Sequence, residues 1–265
     1  MHRTALLLGG SLICLAILIG LIANHARVKD EGGSDGRIMI YCAASNQAVM
    51  EAVVADYLRD TGRVVQTQYG PSQALLSQLA ISRRGELFLP ADDSYVAMAK
   101  EKHLVSQSFP IANMRIVVVV PKGNPKSIHR FSDLLRPDVR LVQANPETAA
   151  IGKLTRETLR ISGDWHDLDQ ATTAYRTTVT DVANDVLLGA ADAGVIFDAV
   201  LQSYPELEAI DVMPLQLATS RIEVGVVLGT SRHDAAIAFV DYLQAPQHGQ
   251  QTYLQFGFQS LADDD

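Results

Sequence analysis

The strongest constraint on this chain is an alternation of two periods. Compact apolar runs with strand character give way, across very short joints, to segments whose apolar residues recur at helical spacing, the pattern of an α/β fold with largely parallel sheets. "IMIYCAA" reads as a strand, and Ser45 is placed to cap a helix whose Val49, Ala52, Val53 and Tyr57 share one face, ending near Asp60-Thr61-Gly62. "RVVQTQY" is a second strand, and "GPSQALLSQLAISRRG" carries a helix with Leu75, Leu76 and Leu79 inward. Ser72 stands at that joint as Ser45 does at the first. "ELFLPAD" is a third strand, and "MRIVVVVPKGNPKSI" is a long apolar one closed by Pro and Gly turn signals.

The pattern then starts afresh. "DVRLVQANP" predicts a strand, "TAAIGKLTRETLRIS" a helix, "VTDVANDVLLG" another helix closed by Gly189, and "DAGVIF", "IDVMPL" and "IEVGVVLG" further strands. A last helix is expected from Ser231, with Asp234 as its capping-box partner, running through Phe239 and Leu243 before an amphipathic tail. No period of ~20–50 residues recurs, which excludes a solenoid. Two α/β lobes are the simplest account, and 265 residues of which 48% are hydrophobic can bury the cores of both.

A formal net charge of −8 leaves no broad basic surface, and pairs such as Arg83-Arg84 read as solvated turns, so nucleic acid is not an expected partner. At the amino terminus Arg3 precedes an uncharged run of 20 residues from Thr4 to Ala23. That run exceeds the ~7–15 residues of a cleavable signal's core and approaches the ~20 that span a bilayer. A retained anchor is therefore favoured over a cleaved signal. "KDEGGSDG" follows as a polar linker that places the folded part outside the cytoplasmic membrane. Cys14 falls inside the apolar run, which leaves Cys42 alone in the folded part, so no internal disulfide is expected and Cys42 reads as a buried strand thiol. The seven histidines never fall at the i, i+4 spacing of a helical metal pair, and a metal enzyme is unsupported.

Each strand-to-helix joint places backbone N–H groups and a hydroxyl at the start of a helix, where unpaired donors and the positive end of the dipole favour an anion. The plainer reading is that Ser45 and Ser72 only cap their own helices. Neither "CAASNQ" nor "GPSQAL" supplies the G-x-S-x-G elbow of a serine nucleophile, and no phosphate-binding glycine loop occurs. No enzyme activity and no cofactor are expected.

The order of these segments resembles the periplasmic molybdate-binding proteins of ABC transporters, which have the type II periplasmic binding fold. The blocks that carry the resemblance are "YCAASNQAVMEAVVADYLRDTG", "YGPSQALLSQL", "GELFLPADDSYV", "VVVVPKGNP", "LVQANPETAAIGKLTRETL" and "ADAGVIFDAV", over residues 38 to about 258. It implies a signal or anchor segment and linker at 1–35, a first lobe from 36–118 with 222–265, and a second lobe from 119–221. Each lobe would be a mainly parallel sheet flanked by helices, with chain crossings near Val118 to Val120 and near Ser220 to Glu223.

The resemblance further implies a small oxyanion, molybdate or tungstate, held in the cleft by neutral groups. Position by position these are the hydroxyls of Ser45 and Ser72, the backbone amides at Ile151 and Val179, and a fifth group at Phe197. There the family pattern reads G-I-V-Y, whereas this chain has Gly194, Val195, Ile196 and Phe197, and a phenyl ring donates no hydrogen bond. Ala150 stands where the family usually has proline, and Pro90 where it usually has serine. Asp198 reads as a cap of the next helix, the alternative being an altered ligand group. The partners implied are an ABC permease and, through the amino-terminal segment, the membrane; the protein itself is expected as a monomer. Two alternatives stay open: a same-fold module for another small anion, such as sulfate or an organic acid, and a tethered sensor without a transport role.

Overall fold

A computed structural model of the chain describes residues 37–261. The apolar run and its linker, with the anchor expected there, lie outside the described residues, and no helix among those described is long and apolar enough to cross a membrane.

Of nine strands among the described residues, eight lie along one hydrogen-bonded path, and the ninth, Leu207–Ile210, pairs beside it. Strand β1 (Ile38–Ala43) pairs parallel with β2 (Val65–Gly70) on one side and β3 (Leu87–Leu89) on the other. β3 runs antiparallel to β9 (Thr219–Val227), and β9 pairs antiparallel with the first part of β4 (Val105–Pro121). Between Arg115 and Ile116, β4 changes partners. From there it pairs antiparallel with β7 (Ala193–Phe197) and, at its end, with β8 (Leu207–Ile210). β7 is parallel to β5 (Leu141–Ala144), which is parallel to β6 (Thr172–Arg176). Two groups of parallel strands are thus joined through two antiparallel strands, β9 and the 17-residue β4.

The parallel strands lead into helices: α1 (Gln47–Thr61) after β1, α2 (Ser72–Ser82) after β2 and α3 (Asp93–Glu101) after β3. A short α4 (Phe131–Leu134) precedes β5, α5 (Ala150–Ser162) and α6 (Trp165–Ala171) follow it, and α7 (Val179–Leu187) follows β6. α8 (His233–Gln244) and α9 (Gly249–Gln255) close the described chain. α5 buries Ile151, Thr155 and Leu159 at four-residue intervals and stops at Gly163, whose φ of +86° suits glycine at a helix end. α8 returns the carboxyl end to the first group of strands, where Tyr57 and Phe239 meet edge to face at 4.9 Å.

Ile116 to Val120 are all buried. A strand paired on both edges and covered on both faces needs no polar side, so its sequence is a continuous apolar run, each fully buried side chain contributing roughly 1.5–3 kcal/mol. The first part of β4 has no such signature. Ser106, Gln107, Ser108 and Pro110 do not read as strand, and pairing with β9 imposes it, with register shifts at Val105/Gln107 and Pro110/Ala112. Pro110 sits at the second shift, where no ladder donor is required.

Other elements differ from expectation for local reasons. The strand expected over "IDVMPL" ends at Ile210, because its ladder to Val118–Pro121 begins at Leu207. α8 begins at His233 rather than Ser231 and has no side-chain cap; the Thr230 hydroxyl instead accepts from the backbone of Arg232. α3 follows the third strand, with the Asp92 carboxylate accepting from the Ser94 N–H at 3.0 Å as its cap.

The starts of β5 and β7 are pinned by Arg140 and Asp192. The Asp192 carboxylate accepts from the Arg140 backbone at 2.9 Å and from its guanidinium at 2.8 and 3.1 Å. The guanidinium hydrogen bonds hold this carboxyl below its ordinary value of about 3.9. A depressed folded-state pKa contributes stability that is present above the unfolded value and lost as pH falls through the folded one. Asp192→Asn is expected to lower the thermal midpoint at pH 7, with the difference from wild type shrinking as pH drops below that ordinary value; melting curves across acidic pH check this.

Candidate functional site

In open α/β sheets ligands sit beyond the carboxyl ends of parallel strands. Here the ends from both strand groups meet around one small cavity of about 20 Å³. Ala43, Ala44 and Ser45 come from the end of β1, Gly70, Pro71 and Ser72 from the end of β2, and Ala91 from beyond β3. Across from them, Ala149, Ala150 and Ile151 follow β5, Thr178 and Val179 follow β6, and Phe197 ends β7. All five positions singled out in the sequence, Ser45, Ser72, Ile151, Val179 and Phe197, line this one cavity. A single water needs roughly 10–15 Å³ on this measure, so the cavity suits a compact ligand.

The two serines are not caps. Ser45 lies inside a 3-10 turn, Ala44–Asn46, ahead of α1, and the capping positions of that turn and of α1 are Ala43 and Asn46, neither with a side-chain cap bond. Ser72 is the first residue of α2, and Pro71 precedes it as the cap. The Ser72 hydroxyl instead accepts from the Ala91 N–H at 3.1 Å, and the Ser45 hydroxyl accepts from the Asn46 amide at 3.2 Å. A hydroxyl that accepts one bond in this way still has its own proton to donate. Both serines are buried.

Helix geometry supplies the other donors. α2, α5 and α7 begin at Ser72, Ala150 and Val179, all on the cavity wall, and the first N–H groups of a helix have no intrahelical partner. Their dipoles direct partial positive charge at the same point. Among the described residues no charged side chain lines the cavity. Thr178 contributes little as a donor, because its hydroxyl is held in a capping box with Asp181 and bonds Thr180. The Phe197 ring is fully buried and presents only carbon.

Asp198 is engaged elsewhere. Its carboxylate accepts from the backbone of Arg115 and Ala199, each at 2.9 Å, and from the Gln259 amide at 2.9 Å, and it does not line the cavity. The cap expected of it is not made, since Asp198 is the first residue of the 3-10 turn Asp198–Ser203 and Phe197 holds the capping position without a side-chain bond; a ligand role is not seen either. Cys42 is buried beneath the joint, where burial pushes the thiol far up and leaves it inert. A wider cleft of about 320 Å³ shares Ala44 and Ser45 but carries the Glu51 carboxylate, a poor neighbour for an anion. Sequence reading did not find the Ala91 N–H or the Asn46 amide as the groups that orient the serines. The turn after "ELFLP" was the available signal for the first, and nothing local marked the second.

The model of a protein family described as bacterial extracellular solute-binding proteins matches residues 38–259, which covers the entire described α/β unit apart from its last residues. The chain belongs to this family. Molybdate-binding protein ModA of Mycobacterium tuberculosis strain H37Rv is 28% identical over 197 residues, 72% of this chain and 74% of the relative. Among solved structures, the periplasmic molybdate-binding protein of Azotobacter vinelandii superposes with a TM-score of 0.72 at 16% identity, covering 83% of this chain and 98% of the other. The sulfate-binding protein SubI of M. tuberculosis superposes with a TM-score of 0.71 at 18% identity, covering 85% and 87%. The fold is the type II periplasmic binding fold, and this member of the family is a solute-binding protein of the kind that includes molybdate- and sulfate-binding proteins.

Proposed function

We propose that the protein captures molybdate or tungstate outside the cytoplasmic membrane and delivers it to an ABC permease, without catalysis. One observation carries this reading: three helix starts and two serine hydroxyls with protons to spare converge on a small cavity lined by no charged side chain. Such a site offers donors only. It suits a fully deprotonated tetrahedral dianion, whereas hydrogen phosphate brings a proton that needs an acceptor and finds no carboxylate there. Capture proceeds by closure of two lobes, 36–118 with 222–265 and 119–221, about the strand that both share. The chain acts as a monomer held at the membrane by its amino-terminal segment.

A second reading, another anion such as sulfate, is favoured by Phe197, because the ligand must be satisfied without a phenolic donor at that wall. Calorimetric titration with molybdate, tungstate, sulfate and phosphate separates the two. Tight binding of molybdate and tungstate with weak sulfate binding is expected, and the reverse order overturns the molybdate reading. Ser45→Ala removes a charge-assisted bond of roughly 1.5–3 kcal/mol, so affinity is expected to fall about ten- to a hundredfold. Phe197→Tyr is expected to tighten molybdate binding; no change or weakening favours the second reading.

A further inference from the structure

We infer that Lys153 is a positioning residue for this site, holding the cavity closed from its rim without touching the ligand. Lys153 is the fourth residue of α5, whose first two residues, Ala150 and Ile151, line the cavity. Its ammonium donates to the Ser94 hydroxyl at 2.8 Å. Ser94 lies in the first turn of α3, two residues after Asp92 and close behind Ala91, which lines the opposite wall. The bond therefore joins two helices that rise from different strand groups, α3 from β3 and α5 from β5.

The other contacts of the ammonium hold it in place. Glu157, one turn along α5, lies at 3.4 Å, and the ring of Tyr95 lies 5.8 Å away by its centroid, within cation–π range. Glu157 is half exposed, and a partner of that kind on the same helix neither spans the cavity nor contributes much. The hydrogen bond to Ser94 crosses to α3, and the contact with the Tyr95 ring, on that same helix, crosses with it. Another crossing stands beside these, from the Gln73 N–H to the Thr148 carbonyl at 3.1 Å, between the neighbours of Ser72 and Ala149.

Pulling on Lys153 moves more than a side chain. Gly152 is so close to the end of β5 that a Cβ there would stand 2.3 Å from the Ala144 carbonyl oxygen, so α5 is seated on its own strands and shifts with them. A bond from α5 to α3 is thereby a bond between the two strand groups. Breaking it lets the cavity open, and a ligand enclosed by both walls leaves at the rate at which they part.

The inference rests on the anion-binding reading for one readout and is independent of it for the other. Paired labels at Ile81→Cys and Ile161→Cys, both highly exposed and in a Cys14→Ser background, report the separation of the two strand groups in the full chain. Without ligand, Lys153→Met and Ser94→Ala are each expected to shift the distance distribution towards longer values, and Lys153→Arg to restore it. With molybdate as probe, dissociation is expected to quicken roughly five- to fiftyfold in either variant. The double variant should add nothing to the single ones, and thermal midpoints should stay within a few degrees. Distances that match the wild type in both single variants overturn the inference, as does an unchanged dissociation rate where molybdate binds. A distance shift in a protein that binds no molybdate supports the role of Lys153 and overturns the ligand reading alone.

Discussion

Ser72→Asp is expected to leave the fold intact and abolish oxyanion binding at neutral pH. Ser72 opens α2, a position where a carboxylate favours the helix through its dipole, and an aspartate oxygen can take over the bond that the serine accepts from the Ala91 N–H. Burying the new carboxylate costs some stability, which these two contacts partly offset. Binding falls, because the new charge faces a dianion in a cavity with no compensating cation among the described residues. Two unit charges at ~4 Å and an effective dielectric constant of ~20 repel by about 4 kcal/mol, and a dianion doubles that. Half of that total still weakens binding by about three powers of ten. The like charge also raises the introduced carboxyl's pKa, so binding is expected to return partly as pH falls. Titrations at pH 7.5 and pH 5 check both parts, and wild-type affinity at pH 7.5 would place the ligand elsewhere.

The second large effect concerns Gly152. Replacing glycine by alanine inside a helix ordinarily stabilises by about 0.5–1 kcal/mol. Here the sign reverses. The added Cβ would lie 2.3 Å from the Ala144 oxygen and 2.8 Å from backbone atoms of Asn145 and Pro146, none of which can rotate away. Overpacking against backbone costs typically 1–3 kcal/mol or more, so Gly152→Ala is expected to destabilise by about 2 kcal/mol net and to lower the thermal midpoint by several degrees. Because α5 must lift, the Ile151 N–H leaves its place on the cavity wall, and anion affinity falls with stability. A midpoint that rises in this variant would contradict the close seating of α5.

The parallel parts of the fold were legible because a parallel strand followed by its helix is a local pattern. "IMIYCAA" and "LVQANP" declare themselves by composition, and Gly62, Gly163 and Gly189 mark the helix ends where positive φ is required. The antiparallel joint was only half legible. Val117 to Val120 read as a strand, but Ser106 to Pro110 are extended because β9, more than a hundred residues away, pairs with them. Windows of sequence do not contain that partner.

For the site, spacing alone led to two serines and an ambiguity between cap and ligand. The ambiguity lay in the orientation of two hydroxyls, which the Ala91 N–H and the Asn46 amide determine through contacts no motif encodes. Ile151, Val179 and Phe197 were legible only through family resemblance, since a backbone amide has no residue type to betray it.

The position of β9 also governs the order in which this molecule can be assembled. It lies between β3 and β4, yet it follows both by about a hundred residues of chain or more. A polypeptide leaving a ribosome or a translocation channel amino end first can make β1, β2 and β3 adjacent but leaves a gap beside β3 until Thr219–Val227 emerges. The early segments remain an unfinished edge, and the loop that must close is long, which slows formation of the native contacts. The sheet that contains β1, β2 and β3 is therefore completed only once Thr219–Val227 is available to pair with β3.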